Sequence, residues 1–571
     1  ASGDSKITVD MWDYENDKFD LKKYDETTAS GHTFRDELNN LNLKVDNTGV
    51  AEDKVKDHIY IWVSDGEQLQ GINATASDDG LDFNYALKGD INASDVTGYE
   101  AIGGTTGFTG TFDGRGNRII GLDTTKDDKG TNTNSMADAG IFSTIGEDGI
   151  VKNVNIYSGN FEGTNNAGAV AGVNNGRIEN VTGFGNTVEV SGAGSAGGIV
   201  GKNEGKGNFV TADGASTLTG NGIYDVQSIG SVITASGVAG GLVGTNDGAL
   251  GNSYSDSAVT STDGTSKGLG GVSGVNTGDV QYVDSLGVTN GGTTGSSNVG
   301  GVIGINNGNM YSGYNESIVS GSSNVGGIIG TNAGTYNATD KKWTSGTVEN
   351  VVNATSVTSE ATDSKNTGGL VGTNTGSVTN GRNNGTITGT NYVGGLVGDN
   401  ANANSILTNL VNDSSAEILG EQYVGGIAGS NSGTIKADED NDNLVNRGSI
   451  TGHKYVGGVA GENKEGATIA NTLNSVVLHA DKNTANDPAQ YFGGVVGSNS
   501  GVIDGATNTS DINITAEDGS YVGGIIGHNT DSGTLKGEIL NEGSVSGKSN
   551  VGGIIGQNDN DYVLQGTADK R

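Results

Sequence analysis

The sequence predicts an all-β solenoid: a single-stranded parallel β-helix of about 14 coils behind an N-terminal cap. Three observations predict it. A short phrase returns through most of the 571 residues; glycine supplies 102 of them against a single proline; and apolar residues recur in register with the glycines. A glycine-rich chain without that register would read as disordered.

The phrase is G-[aliphatic]-x-G-x-N. Its closing asparagines are Asn174, Asn203, Asn246, Asn276, Asn306, Asn332, Asn374, Asn400, Asn431, Asn463, Asn499, Asn529 and Asn558, separated by 26 to 43 residues. A degenerate copy, Gly140–Gly146, opens the array. After each asparagine come a turn, a short strand, another turn and a second short strand, as in Gly385–Gly389 and Gly448–Gly452. A unit thus reads as roughly three short strands between Gly/Asn/Asp/Ser corners, one coil per unit. Equivalent strands of successive coils then pair in parallel, about 4.8 Å apart.

Positional chemistry supports stacking. The residue after the glycine pair is always aliphatic, from Val170 and Ile199 to Ile525 and Ile554, which marks an inward position. The next one admits Ala171, Ser273, Ala428 and Ala460, which suggests weaker packing pressure. The glycines are expected to turn the backbone at positive φ and to let neighbouring chains approach. The thirteen asparagines are expected to form a structural ladder, their amides satisfying corner groups that no strand pairs. Tyr392, Tyr423, Tyr455, Tyr491 and Tyr521 share one repeat position in five successive coils; Asn298, Asn324, Asn366 and Asn550 hold it elsewhere. Strand parity puts these tyrosines on the aliphatic side, as a stack. An exposed aromatic strip would instead be a ligand face for glycans.

The long intervals ending at Asn246 and Asn374, and the segments 437–443 and 481–488, read as loops inserted at corners, where binding specificity commonly sits. Residues 1–98 are expected to form an N-terminal cap or small β-rich domain, because a solenoid end exposes strand edges and core. Residues 99–571 then form the repeat β-helix. Helix signals are scarce, with Phe34–Leu41 the one helix-like stretch outside the repeats.

The 67 acidic and 31 basic residues leave a net charge of −36, which repels nucleic acid and anionic lipid. No run of about 18 apolar residues offers membrane insertion. Without cysteine there are neither disulfides nor thiolate metal sites. The start at Ala1 reads as a mature end after signal removal or as a boundary, and the chain as a segment of something longer. No H-E-x-x-H, no serine-nucleophile elbow and no nucleotide loop in α/β context occurs, so no catalytic site and no cofactor are expected. Calcium is the one metal the acidic loop around Asp438, Asp440 and Asp442 could take, though it lacks the closing bidentate glutamate of an EF-hand.

The G-G-[LIV]-[VIA]-G-x-N unit resembles the GLUG repeat of bacterial surface and secreted proteins, including filamentous-haemagglutinin-like adhesins of two-partner secretion and the non-catalytic part of some immunoglobulin A peptidases. The lead-in Trp62–Leu69, Asn84–Asn92 and Phe108–Ile120 is similar too, so the resemblance covers roughly residues 58–560. It implies a right-handed β-helix, exported by a bacterium, working in adhesion or biofilm structure. The Asn-Pro-Asn-Gly-type secretion motif and any zinc-peptidase motif are absent. The expected function is therefore a non-catalytic adhesin or extracellular scaffold. Its partners would be host or matrix glycans or proteins, or further copies of itself through lateral association. A polysaccharide-degrading β-helix enzyme and a segment of a larger immunoglobulin A peptidase are the alternatives.

Overall fold

Five of the coils and then nine more, in two compact units, build the observed fold: an all-β parallel solenoid of about fourteen turns. The computed structural model describes residues 7–10, 12–13, 18–19, 59–74, 80–127, 129–130, 136–212, 215–261, 267–291, 296–437, 444–480, 489–510, 512–513 and 520–560. The first unit comprises Ala1–Thr262 with Gly271–Gly287, and the second Asp263–Gly270 with Val288–Arg571.

One coil of the second unit shows how the repeat folds. Its strands are Asn391–Gly394, Val397–Asn400, Ile406–Thr408, Val411–Asn412 and Glu417–Leu419. Each pairs in parallel with its counterpart in the next coil, as in Asn391↔Gln422, Val397↔Ala428, Ile406↔Thr434, Val411↔Val445 and Glu417↔Ser449. The repeat phrase is therefore two strands and not one: the chain breaks between Gly394 and Val397, where Gly395 and Leu396 make a corner.

That corner explains the apolar pair. Twelve of the thirteen strictly aliphatic residues are 0–1% exposed, and so are their variable successors Ala171, Ser273, Ala428 and Ala460. A corner turns both side chains inward, so the second position is as buried as the first whether it holds alanine or serine or, as at Val200, Ile303, Val397 and Ile526, a full β-branched side chain. Ile554, in the last described coil, is half-buried.

The glycines serve close approach. None of the paired glycines of the phrase adopts a positive φ; that conformation falls on asparagine and tyrosine instead. A Cβ on Gly426 would lie 2.3 Å from the Asn446 Cγ, and one on Gly429 2.4 Å from the Tyr392 carbonyl carbon. In coils such as those of Gly301, Gly369 and Gly426 the second glycine of the pair is thus kept bare by a buried asparagine and a neighbouring carbonyl, and the third glycine, as at Gly398 and Gly429, by another strand's backbone.

The first unit begins with parallel strands Ile59–Val63, Asn84–Leu87 and Thr111–Asp113, paired through Tyr60↔Asn84 and Tyr85↔Phe112. Parallel pairing thus runs through position 98 without a break. Tyr85, Phe108, Phe112 and Phe142 fill the core here, with ring centroids 5.0–6.2 Å apart. The one α-helix among the described residues, Gly66–Ala74, starts at Asp65, whose carboxylate accepts from the Gln68 amide at 2.9 Å. The Gln68 side chain answers by accepting from the Ser64 amide at 2.8 Å. This D-x-x-Q pattern is a capping signal visible in the sequence itself. Phe34–Leu41 lies outside the described residues.

Both long intervals contain an antiparallel hairpin leaving the corner after a ladder asparagine. Asn208–Ala212 pairs with Ala215–Thr219 in the first unit, and Thr335–Asn337 with Lys342–Ser345 in the second. The first lies against the coils, with Ser216 donating to Gln281 at 2.9 Å and Arg177 to the Gly220 carbonyl at 2.9 Å. The second carries a Tyr336–Trp343 pair, centroids 5.2 Å apart.

Candidate functional site

The thirteen repeat asparagines stand in file along the coils. In the first unit the Nδ2 of Asn174 donates to Asn203 Oδ1, Asn203 to Asn246 and Asn246 to Asn276, at 2.7–2.8 Å. In the second the same bond runs from Asn306 through Asn332, Asn374, Asn400, Asn431, Asn463, Asn499 and Asn529 to Asn558, at 2.8–2.9 Å. Most of these amides also bond the carbonyl two residues ahead, as Asn374 does to Gly376 at 3.1 Å. The Asn174 Oδ1 is buried and accepts nothing. Ile145 stands in register before it, so no amide precedes it.

A second file runs beside it in the second unit. Asn315, Asn353, Asn383, Asn412, Asn446, Asn474, Asn508 and Asn541 are linked amide to amide at 2.8–3.2 Å. This file, unforeseen from the sequence, is what the second glycine of each pair makes room for: Asn383 under Gly369, Asn412 under Gly395, Asn446 under Gly426. Apart from the ends, at Asn174, Asn541 and Asn558, both files are buried and bonded amide to amide, so they hold coils together.

The tyrosine column differs. Tyr392, Tyr423, Tyr455, Tyr491 and Tyr521 are half-buried and stack in sequence, with centroids 4.7–4.9 Å apart and planes within 4–13°. Their φ angles are 55–62°, in the left-handed region. That conformation breaks strand parity: Val393 and Leu396 point inward, fully buried, and the tyrosine turns outward. Every inner ring has both faces covered by neighbours. The column therefore presents ring edges and a row of phenol oxygens, not aromatic faces.

Beside this column runs the residue preceding each ladder asparagine: Asp399, Ser430, Glu462, Ser498 and His528 at the tyrosine coils. Burial pushes the carboxyl pKa of Asp399 up, partly offset by Lys464, and burial likewise pushes Glu462 up. The Asp399 Oδ1 is buried and accepts no hydrogen bond; Lys464 Nζ lies 3.8 Å from it and 5.7 Å from the Tyr392 ring centroid. Ser430 donates to Glu462 at 3.5 Å, the outer limit of such a bond. Burial, then Glu462, pushes the Tyr423 phenol up to about 12. His528 bonds Asp559 at 2.7 Å and lies 5.1 Å from the Tyr491 ring.

In the coils before, where asparagine holds the tyrosine position, this interval is closed. Thr331 donates to Asn298 at 2.6 Å, Thr373 to Asn324 at 2.9 Å, and Asn366 to Thr373 at 2.9 Å. In the tyrosine coils, acidic groups line the groove without such closure.

Asp438, Asp440 and Asp442 lie outside the described residues, and no cluster of three or more metal-ligating side chains occurs among the described ones. No described helix is long and apolar enough to cross a membrane.

These observations define the class of protein: a polar, asparagine-laddered parallel β-solenoid. No family model matches the chain, so the repeat resemblance rests on the residues themselves. Over 127 residues, 20% of this chain, it is 37% identical to Halomucin of Haloquadratum walsbyi, and spans 1% of that protein's length. Among solved structures it is similar to a Bacteroides ovatus protein described as a candidate immunoglobulin A1 protease. That likeness covers 78% of this chain and 83% of the other, at 12% identity and a TM-score of 0.26, too low to carry an argument.

Proposed function

We propose that this chain is a non-catalytic adhesin or extracellular scaffold, secreted or held at a cell surface, whose tyrosine strip is its ligand face. The observation that carries the proposal is the backbone of that strip. A bulky residue in the left-handed region costs about 1 kcal/mol or more, so five cost about 5 kcal/mol. Four stacked ring pairs return about 2–6 kcal/mol. Stacking alone thus roughly offsets the strain, while asparagine takes the same position at Asn298, Asn324, Asn366 and Asn550, where its short polar side chain suits the conformation. Strain retained in five consecutive coils, where asparagine would sit more easily, supports a use for the tyrosines.

The expected ligands are glycans or proteins of a host or a matrix. The charge of −36 supports a role away from nucleic acid and anionic membranes. The test is adhesion of the purified chain to immobilised cell-wall and matrix polysaccharides, compared with a Tyr423→Asn/Tyr455→Asn variant. Circular dichroism and thermal melting should be nearly unchanged, and adhesion should fall to background. Adhesion equal to that of the parent chain would refute the assignment, and release of soluble sugar products would overturn its non-catalytic part.

A further inference from the structure

Resting on that reading, we propose that the strip binds a linear polysaccharide carrying free amino groups, one sugar ring per coil. Three features of the groove select this ligand. The first is period. The phenols advance by 4.7–4.9 Å from coil to coil, and the column of Asp399, Ser430, Glu462, Ser498 and His528 advances with them. A pyranose linked through opposite corners is about as long as one such step, so each coil meets an equivalent ring. An extended polypeptide advances about 3.3 Å per residue, and its same-face side chains fall out of phase with the coils.

The second is the kind of contact offered. With ring faces consumed by stacking, a sugar cannot lie flat on this strip. It meets phenol hydroxyls on one wall and carboxylate or hydroxyl groups on the other, a double row suited to the hydroxyls and amines that edge a sugar chain.

The third is charge. Asp399 and Glu462 lie two coils apart and are half-buried, and that partial desolvation raises the carboxyl pKa of each. The buried Asp399 Oδ1 accepts no hydrogen bond, and Lys464 is the cation placed beside it, at 3.8 Å. An ammonium on alternate rings would take the place of Lys464 at Asp399 and pair with Glu462, supplying the charge-assisted bonds that this wall lacks. Because Lys464 is itself partly exposed, it can leave without unfolding anything.

The experiment is calorimetric titration of the whole chain at neutral pH and low salt with three probes: a β-linked glucosamine pentamer, its N-acetylated counterpart and a lysine pentamer. The glucosamine pentamer should bind. N-acetylation should weaken binding by about tenfold or more, the scale of one charge-assisted hydrogen bond. The Asp399→Asn/Glu462→Gln variant should lose a similar factor, and Tyr455→Asn should abolish binding while the thermal melt is retained. Equal binding of the N-acetylated pentamer would overturn the amine assignment. Preference for the lysine pentamer would overturn the glycan. If no pentamer binds although Tyr423→Asn/Tyr455→Asn still abolishes adhesion, this proposal fails and the adhesive function stands. If adhesion also survives that double substitution, the functional reading itself fails.

Discussion

Replacing Asn431 by alanine tests the ladder at its centre. Its Nδ2 donates to Asn463 Oδ1 at 2.9 Å and to the Gly433 carbonyl at 3.2 Å, while its Oδ1 accepts from Asn400 Nδ2 at 2.8 Å and from the Gly433 amide at 3.2 Å. Asn431 is fully buried, so water cannot replace these partners. Each buried group left unpaired costs about 1–3 kcal/mol, and local relaxation recovers part, so the expected loss is about 3–5 kcal/mol. A solenoid is coupled mainly to nearest neighbours, so the loss should stay local. Hydrogen exchange reads it directly. Amides of Val397–Asn400, Ala428–Asn431 and Ala460–Asn463 should exchange about 100-fold faster or more, since about 1.4 kcal/mol is one factor of ten. Coils near Asn332 should be unchanged. Asn174→Ala, at the end where Oδ1 already lacks a partner, should cost about half as much. Asn431→Asp keeps the shape but turns a donor into an acceptor facing Asn463 Oδ1, and should be at least as harmful as alanine. An Asn431→Asp variant that exchanges like the parent would refute the hydrogen-bond argument, leaving shape as the only role.

The remaining predictions concern the groove wall and the glycines. The folded-state carboxyl pKa values of Asp399 and Glu462 are raised, so the folded chain binds protons there more readily than the unfolded chain. Stability from this pair should rise as pH falls from the raised values toward the ordinary ones of 3.8 and 4.5, and should be lost as pH climbs back. Lys464 and the Ser430 hydroxyl temper this without reversing it. Asp399→Asn should therefore raise the urea midpoint at neutral pH and flatten its acid dependence; a lower midpoint would contradict the burial argument. Gly426→Ala puts a Cβ 2.3 Å from Asn446 and should cost about 2 kcal/mol or more. Gly89→Ala meets nothing within 4 Å and should be neutral or stabilising by about 0.5 kcal/mol, read from thermal midpoints.

The solenoid is legible in the sequence because its ladder residue ends a fixed phrase. From Gly394 to Asn400 no insertion is tolerated, since corner, buried pair and ladder amide are all in contact. The second file is hidden for the opposite reason. Asn315 follows Asn306 closely, whereas Asn353 follows Asn332 after a whole hairpin, so the intervening corner scrambles the period. The glycines of the phrase serve approach, as expected, but not the expected positive φ. Beside the phrase the left-handed residue stands two places before the glycine pair, where Asn366 and Tyr392 lie, and nothing in the phrase marks it. The outward turn of the tyrosines follows from that same kink, because alternation along a strand holds only while every residue stays extended.

The kink also bears on the proposed function. If tyrosines were chosen for stacking alone, they would need no particular neighbour across the groove. Instead Asp399, Glu462 and His528 occur in the same five coils, and the threonines that close the groove, Thr331 and Thr373, occur where asparagine holds the left-handed position. The tyrosine coils also carry Ser430 and Ser498 at this place, and the asparagine coils Ile305 and Gln557, so the two columns differ between the stretches without a strict pairing. Where Asn298 and Asn324 meet Thr331 and Thr373, the asparagine–threonine arrangement fills the same backbone with less strain. Under the proposed function, a ligand touching both walls accounts for the acidic groups at Asp399 and Glu462 beside the tyrosines.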